Sequence, residues 1–303
     1  MSDQKEGSSS GNVTSPHVEF RWGNEEALHD AHLVRLIARE RRWSGRSNID
    51  WQHEYISQAL AFVRRSYAGR EMPVLVTPAG ALTATLENEL EYTPEGHAAA
   101  IQDILKQIDL CLPHGNTHAT VLIGVDGRKS GVKSVQTAMW WEHGAGIVEG
   151  SIAQKLHPAE GEDLLGTRLS LDATDGDPLL GRKRCVRHRI LPLVCHEIAI
   201  FGGRSEAAVT NKAIIDRREL LEKLAQSPSV RYVAVLAHSL GLHSAGAFLD
   251  GMRKLAAPES DVTVAISGFV DEDDLSAVAR RFEPTGKHAN KVATLLAENA
   301  AGA

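Results

Sequence analysis

RILPLVCHEIAIFGGR, residues 189–204, is the stretch on which the fold of this chain turns. Ile190 to Val194 are apolar without alternation, the pattern of a strand buried on both faces, and such strands occur in sheets that are covered on both sides. The run ends on Cys195, His196 and Glu197, a thiol beside two titratable groups at the strand end where α/β folds collect reactive side chains. His196 or another nearby cation would lower the thiol pKa and raise the fraction of thiolate, the form that attacks carbonyl or nitrile carbon. The plainer reading is a packed core cysteine.

Outward from this strand the chain alternates. Upstream, residues 24–42 and 51–68 have helical spacing, PVLVTPAGAL (73–82) reads as a short strand, and 96–112 returns to helical spacing. ATVLIGVDG, SVQTAMWWEHG and GIVEGSIAQKLH are successive strand-like runs, and 185–198 closes that block. Downstream come a helix at 211–226, a strand at 230–238, a helix at 244–257 and a strand at 262–270. Helices at both ends of the chain around a strand-rich centre predict an α/β fold, a four-layer αββα sandwich of two facing sheets with helices outside. The expected organisation is a disordered tail over 1–16, one domain over 17–275, and a weakly helical extension over 276–303.

Composition narrows the function classes. Of 303 residues 43% are hydrophobic, enough for a substantial core, and the net charge of −6 provides no basic field for nucleic acid or an anionic membrane. No run approaches the apolar length of a membrane span, and MSDQKEGSSSGNVTSP lacks the apolar stretch of a secretory signal, so a cytoplasmic protein is expected. Cys111, Cys185 and Cys195 are too few for a disulfide framework and are read as reduced thiols. Cys111, His114 and His118 have zinc-like spacing without a fourth ligand, so neither metal nor cofactor is expected.

Two more constellations carry chemistry. GSIAQKLHPAEGED (150–163) places Lys155 at the end of a strand-like run, with Glu160 and Glu162 in the following loop. A lysine beside a thiolate stabilises it and any oxyanion formed during attack, and a carboxylate orients the lysine or moves protons. VAVLAHSLGLHSAG (233–246) resembles the nucleophile elbow of serine hydrolases, with Ser239 on the turn and Asp271 and His288 following in order, but without glycine at the first elbow position. The basic run RKRCVRHR (182–189) reads as a solvated strand edge.

Taken together, these segments resemble the carbon–nitrogen hydrolase (nitrilase) superfamily over about residues 51–270. In AQKLHPAEGE, Lys155 matches the family's catalytic lysine and Glu162 its supporting glutamate, with Glu160 the alternative. In the opening stretch Cys195 matches the nucleophile, Glu197 the acidic position and Arg204 the arginine, and the Cys195–His196 pair resembles the aliphatic amidase branch. In that register His238 and Ser239 become a pocket wall. The family's first motif ends in Pro-Glu, the general base; this chain has Pro78-Ala79 there, and only Glu87 or Glu89 nearby offers a substitute.

The resemblance implies a divergent amide or nitrile hydrolase acting on a small molecule. Cys195 would form a thioester, Lys155 would stabilise the oxyanion, and Glu162 would orient the lysine. It also implies a homo-oligomer. The alternatives are a catalytically impaired binding or assembly module, motivated by Ala79, and a serine esterase using Ser239.

Overall fold

The computed structural model describes residues 18–39, 49–85, 98–111, 119–128, 134–155, 180–202 and 212–299. Among these, the strands are β1 (Val18–Trp22), β2 (Leu33–Arg39), β3 (Val74–Val76), β4 (Leu82–Thr85), β5 (Thr120–Arg128), β6 (Ser134–Glu142), β7 (Gly146–Gln154), β8 (Ile190–Val194), β9 (Tyr232–Ala237), β10 (Thr263–Val270), β11 (Thr285–Gly286) and β12 (Val292–Asn299). The helices are α1 (Ile49–Ser66), α2 (Gln102–Cys111), α3 (Leu180–Arg184), α4 (Lys212–Ala225), α5 (Leu242–Leu255) and α6 (Leu275–Arg281).

Strand β2 is where the sheet divides. Along Leu33 to Ala38 it pairs with β12, so β3 (at Leu33–Arg35) and β10 (at Ile37–Arg39) must leave from its other edge. One limb continues β3, β5, β6, β7, and the other β10, β9, β8. The limbs fold towards each other: Ser267 Oγ of β10 donates to the Val76 carbonyl of β3 at 2.9 Å, and β6 and β7 lie against β8. Leu33, Ile37, Val76, Leu122 and Trp140 share one buried cluster with Leu191, Leu193 and Val235. The outward residues of the first limb, such as Val34, Leu75, Val121 and Trp141, pack instead with Ile56, Leu60 and Val63 of α1 and Leu105 and Ile108 of α2. Helix α5 covers the second limb with Phe248, Met252 and Leu255, at the three- and four-residue spacing that lays one helical stripe on a sheet. The fold is thus a mixed α/β structure with a curled sheet and helices outside, in agreement with the αββα expectation.

Three local expectations are corrected. Residues 24–42 read as a helix, yet 33–39 form the central strand β2. The misleading residue is Arg35, which mimics a helix's polar face. It is 1% exposed and donates to Thr294 Oγ1 (2.9 Å) and to the carbonyls of Ala279 (3.0 Å) and Phe282, at the C-terminal end of α6. The stretch 276–303, read as a weakly helical extension, supplies most of α6 and all of β12, which lies between β1 and β2 with Ala293, Leu295 and Leu296 buried. Burial on both faces removes the alternation that marks a half-exposed strand. Finally, the basic run 182–189 begins in α3, where Arg182 is buried.

A candidate active site at the strand ends

Strands β2, β3, β5, β8, β9, β10 and β12 run parallel through their pairings, and the last strand of the first limb, β7, runs with them. Their carboxyl ends form one rim, where open α/β sheets bind ligands. Cys195 follows β8, His238 follows β9, Lys155 follows β7, Ala79 lies just beyond β3, and Asp126 belongs to the last part of β5.

Cys195 opens a 3-10 turn (Cys195–Phe201) at φ 51°, a left-handed conformation uncommon outside glycine, and such backbone persists only where its surroundings hold it. The hold is visible. Glu197, fully buried, accepts the Val194 N–H at 2.7 Å and takes a two-pronged contact from Arg182 (2.7 and 3.1 Å). Arg182 also donates to the Gln154 carbonyl (2.6 Å) and the Pro192 carbonyl (2.8 Å). One guanidinium therefore ties the end of β7, and with it Lys155, to the end of β8, and with it Cys195. Behind the turn, Gly251 of α5 lets the helix approach so closely that a Cβ there would lie 2.0 Å from the Ile198 carbonyl oxygen.

Cys195 is 3% exposed, but the surroundings of its sulfur are cationic and not merely apolar. His196 Nδ1 lies 3.3 Å away, and the charges of the His238 imidazole and of the Lys155 ammonium, the lysine 1% exposed, act on the sulfur. Burial alone disfavours a thiolate; the His196 contact and the neighbouring His238 and Lys155 outweigh it and bring Cys195 down to about 5. For His238, burial disfavours the imidazolium, but the Asp126 carboxylate and the sulfur outweigh it and raise the ring to about 10. Cys195 and His238 thus each favour the charged form of the other. Cys185, by contrast, is pushed up to about 11 by burial.

Asp126 Oδ1 and Oδ2 lie 2.8 and 2.9 Å from His238 Nε2, although β3, β2 and β10 separate β5 from β9 in the sheet order. The curl of the sheet makes this contact. Ala79 is beside it: its N–H donates to the Ala237 carbonyl at 3.2 Å. At Gly80, φ +66°, a Cβ would stand 2.9 Å from Asp126 Oδ2 and 3.4 Å from His238 Cδ2, so only glycine leaves room for the pair.

Of the residues singled out from sequence, Cys195, His196, Lys155, Glu197, His238 and Ala79 meet at this rim. Glu197 acts through the backbone and Arg182, away from the sulfur. Glu160, Glu162, Arg204, Glu87, Glu89, His114 and His118, with the Cys111 side chain, lie outside the described residues. Ser239 does occupy a strand–turn–helix junction, where its Oγ accepts the Gly241 N–H at 3.2 Å. His288, however, stands against Tyr232 and within 3.7 Å of Asp261, at the opposite end of β9, so the serine triad does not assemble. Asp126 and Arg182 were missed. The carboxylate closing the apolar run ATVLIGV was the available signal for the first; nothing local marked Arg182 for burial. Among the described residues no three His, Cys, Asp or Glu side chains are placed to hold a metal ion, and no helix is long and apolar enough to cross a membrane.

No family model and no curated protein matches this chain. Among solved structures, it is similar to a cysteine-to-alanine variant of an amidase from Nesterenkonia AN1, at 14% identity over 79% of this chain and 77% of that one, with a TM-score of 0.43. A doubly substituted form of that amidase in complex with acrylamide gives 15% identity, 86% and 80% coverage, and 0.42. A crystal structure of the Nesterenkonia sp. amidase gives 14%, 80% and 79%, and 0.41. A likeness of this size leaves the chemistry to the chain's own residues. What the chain is similar to, in each of these comparisons, is an amidase, described in the first of them as one from the nitrilase superfamily.

Proposed function

We propose that this protein is a carbon–nitrogen hydrolase that cleaves small amides through a thioester on Cys195. The observation that carries this reading is the thiol held at a left-handed strand end, 3.3 Å from the His196 imidazole and under the charges of His238 and a buried ammonium. Thiolate attack forms a tetrahedral oxyanion, and Lys155, already within electrostatic range of the sulfur, is the fixed positive charge available to stabilise it. Glu162, expected from the sequence to orient that lysine, retains this role as part of the proposal.

Iodoacetamide at neutral pH tests the activated thiol. Cys195 should be labelled far faster than Cys185, whose thiol stays protonated, and purified protein should release ammonia from short aliphatic amides. Equal, slow labelling of both cysteines would remove the nucleophile. Fast labelling without turnover of any amide or nitrile would favour the second reading, a binding module, to which the alanine at 79 gives specific support.

A further inference from the structure

We infer that His238 and Asp126 are the acid–base pair of the reaction proposed above, occupying the place that the resemblance gives to a glutamate at position 79. The inference rests on that reading for its substrate but stands on its own geometry.

A glutamate at 79 would stand just beyond β3, in the buried cluster that Ala79 shares with Cys195. Ala79 stops at its Cβ and is 1% exposed, while Gly80 has no side chain. The space is used by another pair of groups. The Ala79 N–H bonds to the residue before His238, and Asp126 and His238 close over Gly80 within the distances a Cβ would violate. Both Asp126 oxygens accept from His238 Nε2, so Nδ1 is the ring nitrogen left to exchange a proton with the sulfur or a substrate. A carboxylate holding one ring nitrogen while the other meets a nucleophile is the orienting arrangement that fixes a catalytic imidazole in a single tautomer. His238 retains 29% side-chain exposure against 7% for Asp126, so the ring is the member of the pair that water and substrate can reach.

The protons balance. In acylation the Cys195 Sγ–C bond forms, the C–N bond breaks, and the imidazolium gives its proton to the leaving nitrogen, which departs as ammonia or an amine. His238 is then neutral. It takes a proton from water as the hydroxide oxygen bonds to the acyl carbon, and the C–S bond breaks to release a carboxylic acid and restore thiolate and imidazolium. No oxidant, metal or second substrate is required. Besides His238, the charged or titratable groups around the sulfur are His196 on its own turn, Lys155 at the end of β7, Asp126 on β5, and the Glu197–Arg182 pair behind it.

Acylation by p-nitrophenyl acetate separates the two half-reactions. Wild-type protein should be acetylated at Cys195 and turn over. The His238→Gln variant should accumulate acetylated Cys195 and deacylate roughly 10²–10⁴-fold more slowly, with partial recovery in free imidazole. Asp126→Asn, which keeps the ring, should show the same stall to a smaller degree and serves if His238→Gln does not fold. Deacylation of His238→Gln at the wild-type rate would overturn the inference. If wild-type protein is not acetylated at all, the amide chemistry fails, yet alkylation of Cys195 across pH still tests the pair. Its acid limb should move from near 5 in wild type towards the ordinary thiol range of about 8.5 in His238→Gln, and an unmoved limb would refute the pairing.

Discussion

Alanine at position 195 is expected to reduce amide hydrolysis to background, a loss of roughly 10⁴–10⁶-fold as seen when a covalent nucleophile is removed from a preassembled site. Among the described residues the other candidate nucleophiles do not take its place: Ser239 Oγ is bonded to the backbone of Gly241, and Cys185 is a high-pKa thiol near Arg182. Stability should change little. The Cys195→Ala variant loses one buried sulfur but keeps Asp126 as the partner of His238, so the imidazolium is not stranded. A melt within a few degrees of wild type, consistent with about 1 kcal/mol, together with absent ammonia release, is the expected pair of results. Substantial residual turnover would place the chemistry elsewhere in the molecule.

The second large effect concerns Glu197, which never touches substrate in this account. Replacing it with alanine strands the Arg182 guanidinium, 3% exposed, and leaves the Val194 N–H without its acceptor. Breaking a buried pair from one side costs about 3–5 kcal/mol, a large part of a typical domain's stability. Urea denaturation of Glu197→Ala should show that loss. Turnover should fall as well, because Arg182 is what joins the end of β7 to the end of β8, and catalytic groups misplaced by about 1 Å lose about 10²-fold. Replacing both partners with apolar residues should recover much of the stability, since the desolvation cost of the pair disappears with it. It should not recover the turnover, because the tether remains broken. A Glu197→Ala protein as stable and active as wild type would contradict the positioning role.

Sequence showed most clearly those features that depend on near neighbours. ILPLVC announced a doubly buried strand with a thiol at its end, and the structure puts it in the second limb beside β9. Lys155 was legible as a lysine closing a strand-like run. What local pattern could not show was convergence. Asp126 and His238 are 112 positions apart and meet only because the sheet divides at β2 and curls. Arg35 and Arg182 looked like solvent-facing charges because their acceptors, backbone carbonyls of α6 and of β7 and β8, belong to distant segments. The same blindness turned β2 into an apparent helix. Read alone, Ala79 looked like a loss. In the fold it adjoins a histidine–carboxylate pair, and a missing base becomes a relocated one.

The proposed chemistry requires a sulfur at 195 that is anionic at neutral pH within its buried, cationic surroundings. Ultraviolet thiolate absorbance, taken as the difference between wild-type protein and the Cys195→Ala variant, measures it directly during a pH titration. The account predicts a single thiolate that appears near pH 5 and persists through neutrality. A difference signal that emerges only in the ordinary thiol range, about 8.5, would mean that the surrounding imidazoles and ammonium do not hold the sulfur as described, and the proposed chemistry would fall with it.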